Sequence, residues 1–113
     1  MAEWKLTVRR GSQVRRSDFD HLDDAMAELR AQAEEVRQEG PLRPRSMLRD
    51  FTPAEQVAAR IEISGRGLIR RPTAGVDVKG DGAIVPFIGG VRREELEAQG
   101  GSAYDAVRNA LSR

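Results

Sequence analysis

Hydrophobic and polar residues alternate through the segment from Val57 to Phe87, which contains most of the β-branched residues of the chain. A period of two places successive side chains on opposite faces of a β-strand. The apolar members of the first run share one face: Val57, Ala59, Ile61 and Ile63. Gly65 and Gly67 follow, and glycine tolerates the positive φ that a tight reversal requires. The first part of the segment therefore predicts a half-buried strand and a turn.

Two further strands are predicted in the same segment. The run from Leu68 to Val78 is interrupted by Pro72 and Gly75. Because proline donates no ladder hydrogen bond, we expect this strand to lie at an edge of the sheet or to contain a bulge. Lys79 to Gly82 includes an Asp-Gly pair that is typical of hairpin turns, and Ile84 to Ile88 is the returning strand. The segment predicts a three-stranded antiparallel meander.

The first of these strands has a helical alternative. Thr52-Pro53-Ala54-Glu55 has the N-cap, first-turn proline and capping glutamate of a helix start. With the V-A-x-x-I-x-I-S run after it, the stretch from Thr52 to Arg71 looks like the first helix and turn of a bacterial helix-turn-helix, which implies a winged DNA-binding domain. It departs from that pattern because Glu62 occupies the usual glycine position and the recognition helix would contain two glycines, each costing about 1 kcal/mol. We favour the strand.

The flanking segments predict a hairpin and two helices. Trp4 to Arg9 and Gln13 to Arg16 alternate around a turn at Arg10 to Ser12. Asp20 is expected to cap a helix from His21 to Gln38, whose apolar residues recur every three or four positions. Ser102 is expected to cap a last helix with a similar apolar stripe. The order β-β-α-β-β-β-α predicts an α+β fold in which two helices cover one face of an antiparallel sheet, compatible with double-stranded-RNA-binding-like and other two-layer sandwiches.

Length and composition predict one domain over residues 1–113, with an internal Pro-rich linker at 40–53. The chain has 113 residues, 39% hydrophobic and 33% charged, with a net charge of +1, which is typical of a globular rather than a disordered chain. Cysteine is absent, and no run approaches the ~20 apolar residues of a membrane span. We therefore expect a cytoplasmic protein without a membrane segment. The 17 arginines against 2 lysines indicate a GC-rich bacterial genome.

Charge is distributed unevenly along the chain. Met1 to Phe19 carries a net +3, Asp20 to Glu39 a net −5, and Gly65 to Lys79 a net +3. A basic binding face is therefore predicted, and its candidate residues are Arg9, Arg10, Arg15, Arg16, Arg66, Arg70, Arg71 and Lys79. Most surface charge is simply solvated, but a basic sheet face attracts phosphate or an acidic partner. The acidic helix could also dock on the basic sheet of a second copy, as a homodimer.

No set of residues predicts catalysis, a cofactor or a metal. His21 is the only histidine, and without cysteine no zinc set can form. Asp77 and Asp81 flank a turn, yet the loop offers fewer oxygens than calcium needs. Ser64-Gly65-Arg66-Gly67 lacks the lysine of a phosphate-binding loop. We therefore expect neither enzymatic activity nor a small-molecule substrate.

The sequence thus favours a small non-catalytic binding module. We expect it to engage a protein partner or itself through the exposed sheet face or an edge strand, such as the run from Leu68 to Val78. The alternative is a nucleic-acid-binding regulator, either a winged helix-turn-helix or a reader of the double-strand backbone, that uses Arg66, Arg70 and Arg71.

Overall fold

The computed structural model describes residues 3–39, 57–65, 72–89, 94–95 and 102–112, and these residues form six strands and two helices. The strands are β1 (Trp4–Arg10), β2 (Gln13–Phe19), β3 (Val57–Gly65), β4 (Thr73–Lys79), β5 (Ile84–Ile88) and the two-residue β6 (Glu94–Glu95). The helices are α1 (Leu22–Gln38) and α2 (Ala103–Leu111). The predicted α+β class, with its hairpin, meander and two helices, is confirmed. The linker predicted at 40–53 and the run from Leu68 to Arg71 lie outside the described residues.

All neighbouring strands are antiparallel, in the order β2-β1-β3-β4-β5-β6. The strand after α1 joins the sheet beside β1, so the N-terminal hairpin and the meander form one continuous sheet. β4 pairs with β3 on one side and β5 on the other. Over Thr73–Lys79, the prediction that this strand lies at an edge of the sheet or contains a bulge is therefore wrong. Pro72 lies directly before β4 and its carbonyl oxygen still accepts a 2.8 Å hydrogen bond from the Gly65 amide of β3, while the register shift falls in β3, between Val57 and Ala59.

β3 is extended along its whole length, which excludes the helix-turn-helix interpretation of this segment. Ile61 and Ile63 are fully buried, and β1 and β4 pair with β3 on its two sides. Period-two burial and two hydrogen-bonded ladders therefore outweigh the helix-start signal at Thr52. The predicted N-cap of α1 is also wrong by one residue. His21 occupies that position without a side-chain cap hydrogen bond, while Asp23 and Asp24 place negative charge in the first turn.

Two hairpin turns contain a glycine with positive φ. Gly11 has φ +59° at the first central position of the β1–β2 turn, while no described non-glycine residue has positive φ. This combination is the signature of a type II′ hairpin turn. Gly82 has φ +91°, and the Asp81 side chain accepts a hydrogen bond of 2.9 Å from the Ala83 amide. Turn chemistry therefore accounts for Asp81.

Both helices pack on the same face of the sheet. α1 lies against β1, β2, β3 and β4, and α2 lies against β4 and β5. The buried residues of α1 are Ala25, Leu29, Ala33 and Val36, those of α2 are Val107 and Leu111, and they meet Leu6, Ile61, Ile63, Val76 and Val78. α2 begins at Ser102 in a complete capping box with Asp105, as its sequence predicts. Neither helix is long and apolar enough to cross a membrane, among the residues that the structure describes.

Candidate interaction surface

The face of the sheet opposite the helices carries mostly polar side chains. Because Leu6, Ile61 and Val76 point towards the helices, alternation and the strand register place their neighbours on the other side. We call this the helix-free face, and its members are Val14, Arg16, Asp18, Lys5, Thr7, Arg9, Arg60, Glu62, Ser64, Thr73, Gly75, Asp77, Lys79, Val85 and Phe87. Neither α1 nor α2 packs against it.

An ion pair between a half-buried arginine and a buried aspartate lies at the centre of the helix-free face. Asp77 is 1% exposed and stands directly opposite Arg60 in the register of β3 and β4. Arg60 Nε donates a 2.9 Å hydrogen bond to Asp77 Oδ1, and its guanidinium carbon is 5.7 Å from the ring centroid of Phe87, itself 1% exposed. The sequence gives no direct signal for this cluster, because residues 60 and 77 become opposite only once the register is known. Its burial identifies it as a structural element of the face.

Gly75 lies between Glu62 and Phe87 in the neighbouring cross-strand row. A Cβ atom on Gly75 would overlap the carbonyl oxygen of Ile61 and lie 2.7 Å from Glu62 Cα. The backbones of β3 and β4 therefore approach more closely here than any residue with a side chain allows.

The predicted basic set divides between the two faces. Arg9, Arg16 and Lys79 lie on the helix-free face together with Lys5, and none of these four forms an ion pair within the described ranges. Arg9 and Arg16 are exposed, whereas Lys5 and Lys79 are half-buried.

Arg10 and Arg15 lie on the helix side instead. Arg10 forms an ion pair with Glu39 at the end of α1. Arg15 lines a small cavity with Val8, Gln32 and others. The remaining members of the predicted set, Arg66, Arg70 and Arg71, lie outside the described residues.

β2 is the exposed edge of the sheet. Its residues from Gln13 to Asp18 are all exposed, and only Phe19 is partly buried. β1 is its one neighbour among the described strands. Since Arg10 and Gln13 close the two-residue turn as a hydrogen-bonded pair, and such pairs alternate along the ladder, the main-chain groups of Val14, Arg16 and Asp18 point away from β1. Three residues of β2 thus offer backbone donors and acceptors to an added strand.

The helix layer carries a second polar cluster around Tyr104 of α2. Its hydroxyl donates a 2.7 Å hydrogen bond to Glu34 of α1, and the guanidinium of Arg30 lies 5.2 Å from its ring centroid. Burial raises the pKa of Tyr104, and the hydrogen bond to Glu34 and the charge of Glu34 raise it further. A phenol held neutral is a donor rather than a base. The hydrogen bond from Tyr104 to Glu34 and the ion pair of Arg108 with Asp23 connect α2 to α1.

Comparison with known proteins returns no relative. No protein-family model matches the chain, and neither the curated proteins nor the solved structures contain a match. The described residues contain no group of three or more histidine, aspartate or glutamate side chains placed to hold a metal ion.

Proposed function

We propose that this protein is a non-catalytic interaction module that binds an extended segment of a protein partner along β2, by adding a strand to its sheet. The observation that carries this proposal is the seven-residue edge strand, which is exposed over six residues and has one neighbour among the described strands. The arginine-rich, cysteine-free composition supports a bacterial cytoplasmic setting.

Main-chain hydrogen bonding supplies the affinity in this mode of recognition, and alternate side chains supply the selectivity. The outward-facing amides and carbonyls of Val14, Arg16 and Asp18 pair with the incoming strand. On the helix-free face, Val14 presents an apolar side chain that is 40% exposed, and Arg16 presents a cation without an ion pair among the described residues. The preferred partner is therefore a strand with an acidic residue opposite Arg16.

Proline at position 16 tests the proposal, because edge strands tolerate proline where the amide faces solvent. Extended peptides are selected from a random displayed library against the full chain, and their affinities are measured by calorimetry. We expect Arg16→Pro to weaken binding by about tenfold or more, since it removes an intermolecular hydrogen bond and obstructs the incoming backbone. Arg16→Thr is the matched control, because it removes the same charge and keeps the amide. Failure to select any peptide, or equal affinity for the proline and threonine variants, would refute strand addition at β2.

Binding to the backbone of double-stranded nucleic acid is a second candidate. The observation that favours it is the group of cations without ion pairs on the helix-free face, namely Lys5, Arg9, Arg16 and Lys79. Affinity for duplex DNA or RNA should then fall steeply between two salt concentrations and should be lost in an Arg9→Ala, Arg16→Ala variant. A variant with alanine at Arg66, Arg70 and Arg71 tests whether the remaining residues of the predicted basic set contribute to this affinity. Absence of binding at low salt eliminates this candidate.

A further inference from the structure

We propose that the strand added to β2 is the β2 of a second copy of this chain, paired antiparallel about a two-fold axis that passes midway between the two copies of Ser17, below called the axis through Ser17. This inference rests on the proposed function, because it assumes that β2 accepts a strand, and it names the partner. Its support is the order of charges along β2, which is self-complementary in one register.

Symmetry limits the registers that such a dimer can adopt. A two-fold axis perpendicular to the sheet keeps each side chain on its own face, so one residue of β2 must stand opposite its own copy, with the axis midway between the two. Directly opposed side chains lie about 5 Å apart, and like charges at that distance repel. An axis through Arg15, Arg16 or Asp18 places that residue opposite its own copy. An axis through Val14 engages only the start of the strand.

The axis through Ser17 avoids these conflicts and creates attractive pairs. Arg16 of each copy then faces Asp18 of the other, so the same opposite-charge pair forms twice. Both residues belong to the helix-free face, where they stand opposite Thr7 and Lys5 of β1. On the helix side, Arg15 faces Phe19 of the other copy, and a guanidinium beside an aromatic ring is a favourable contact.

Backbone geometry agrees with this register. Arg16 and Asp18 are two of the three β2 residues whose main-chain groups point outward, so each Arg16–Asp18 pair across the axis is also a hydrogen-bonded pair. The assembly has one continuous sheet, both sets of helices on the same side, and two joined helix-free faces. It also covers an edge that would otherwise remain open to pairing with other chains.

Charge reversal tests this arrangement by changing one member of each pair. Arg16→Asp gives a strand with two acidic positions across the axis, and Asp18→Arg gives a strand with two basic positions. We expect each variant alone to dimerise at least about tenfold more weakly than the original chain, because both symmetric pairs become repulsive. An equimolar mixture of the two variants should dimerise again, since every acidic position then faces a basic one. The double variant R16D/D18R should dimerise like the original chain.

Sedimentation equilibrium over a concentration series measures these dimerisation constants. Arg9→Asp is the matched control, because it makes the same charge change on the same face but on β1, and it should leave dimerisation within about twofold of the original value. Far-UV circular dichroism establishes that each variant is folded. Amide exchange of Arg16 and Asp18 should slow as the protein concentration rises.

Three outcomes would overturn the inference. The first is a chain that remains monomeric at about 1 mM, a concentration that reveals even weak association. In the second, dimerisation is unaffected by either single reversal. The third is a mixture of the two variants that stays monomeric although both are folded. Selected peptides that bind the original chain but not Arg16→Pro would, in each of these cases, leave strand addition at β2 intact and refute only the second copy as its partner.

Discussion

Gly75→Ala tests the close approach of β3 and β4 at the centre of the sheet. The added Cβ would overlap the Ile61 carbonyl oxygen and would lie 2.7 Å from Glu62 Cα and 2.9 Å from the Ile61 carbonyl carbon. These carbon contacts are 0.5 to 0.7 Å shorter than an ordinary 3.4 Å contact. All three atoms belong to the backbone of β3, so no side-chain rotation relieves the overlap, and the two strands must move apart.

The cost of that movement follows from the ladder hydrogen bonds. A ladder bond near 2.9 Å that lengthens by more than half an ångström approaches about 3.5 Å, where it no longer counts as a hydrogen bond. Two lost bonds between buried backbone groups cost about 1 to 3 kcal/mol each. We therefore expect Gly75→Ala to lower the free energy of unfolding by about 3 to 5 kcal/mol, a large part of the 5 to 15 kcal/mol that a domain has in total.

Urea unfolding followed by circular dichroism measures this change. The control is Gly82→Ala, where φ is +91° but the nearest atom to an added Cβ is Arg37 Cγ at 3.5 Å. This control should lose only about 1 to 2 kcal/mol, the cost of a left-handed conformation for an L-residue. A loss at Gly75 no larger than that at Gly82 would show that β3 and β4 do not approach as described.

Three further changes test the contacts of the sheet and the helix layer. Asp77→Ala should lower the free energy of unfolding by about 2 to 3 kcal/mol in urea titrations, less than for a fully buried pair because the side chain of Arg60 is 34% exposed and can rehydrate; a neutral effect would contradict a stabilising ion pair. Tyr104→Phe should cost about 1 kcal/mol through the lost hydrogen bond to Glu34. Because the pKa of Tyr104 is raised in the folded state, the contribution of its hydroxyl to stability is complete below about pH 10 and declines at higher pH. If the original chain and the phenylalanine variant lose stability in parallel as the pH rises above about 10, this contribution is refuted. Ser102→Ala should destabilise by about 1 kcal/mol in thermal unfolding, as loss of an N-cap does, and an unchanged Tm would show that the capping box contributes nothing.

The sequence predicts elements better than it predicts their neighbours. Alternation identifies β1 and β3 because burial on one face requires a period of two. The insertion of β3 beside β1 depends instead on how α1 crosses the sheet, and no local pattern encodes that crossing. The interior position of β4 is obscured for a related reason. Pro72 signals an edge, yet it lies directly before β4, where its carbonyl oxygen accepts a 2.8 Å hydrogen bond from the Gly65 amide and its missing N–H leaves only the reciprocal bond unmade.

The predicted basic face shows a different limit of prediction from the sequence. Arg9 and Arg10 are adjacent, as are Arg15 and Arg16, so the alternation that predicts the strands also sends the members of each pair to opposite faces. Grouping them by charge along the chain hides this division, although the sequence contains it. Arg60 and Asp77, in contrast, become partners only through the register of β3 and β4. Net charge alone therefore describes this surface poorly.

The composition of β2 admits two physical explanations that lead to different arrangements of charge. Edge strands commonly carry charged residues because repulsion prevents accidental pairing with other chains. That purpose is served best by charges of one sign, which oppose each other in every register. β2 instead carries two arginines and then Asp18. In the proposed register about Ser17, Arg16 of each copy faces Asp18 of the other, which gives two attractive pairs instead of repulsion. An edge that opposes pairing in most registers and favours it in one selects its partner, which is why the order of charges on β2, rather than their number, supports recognition.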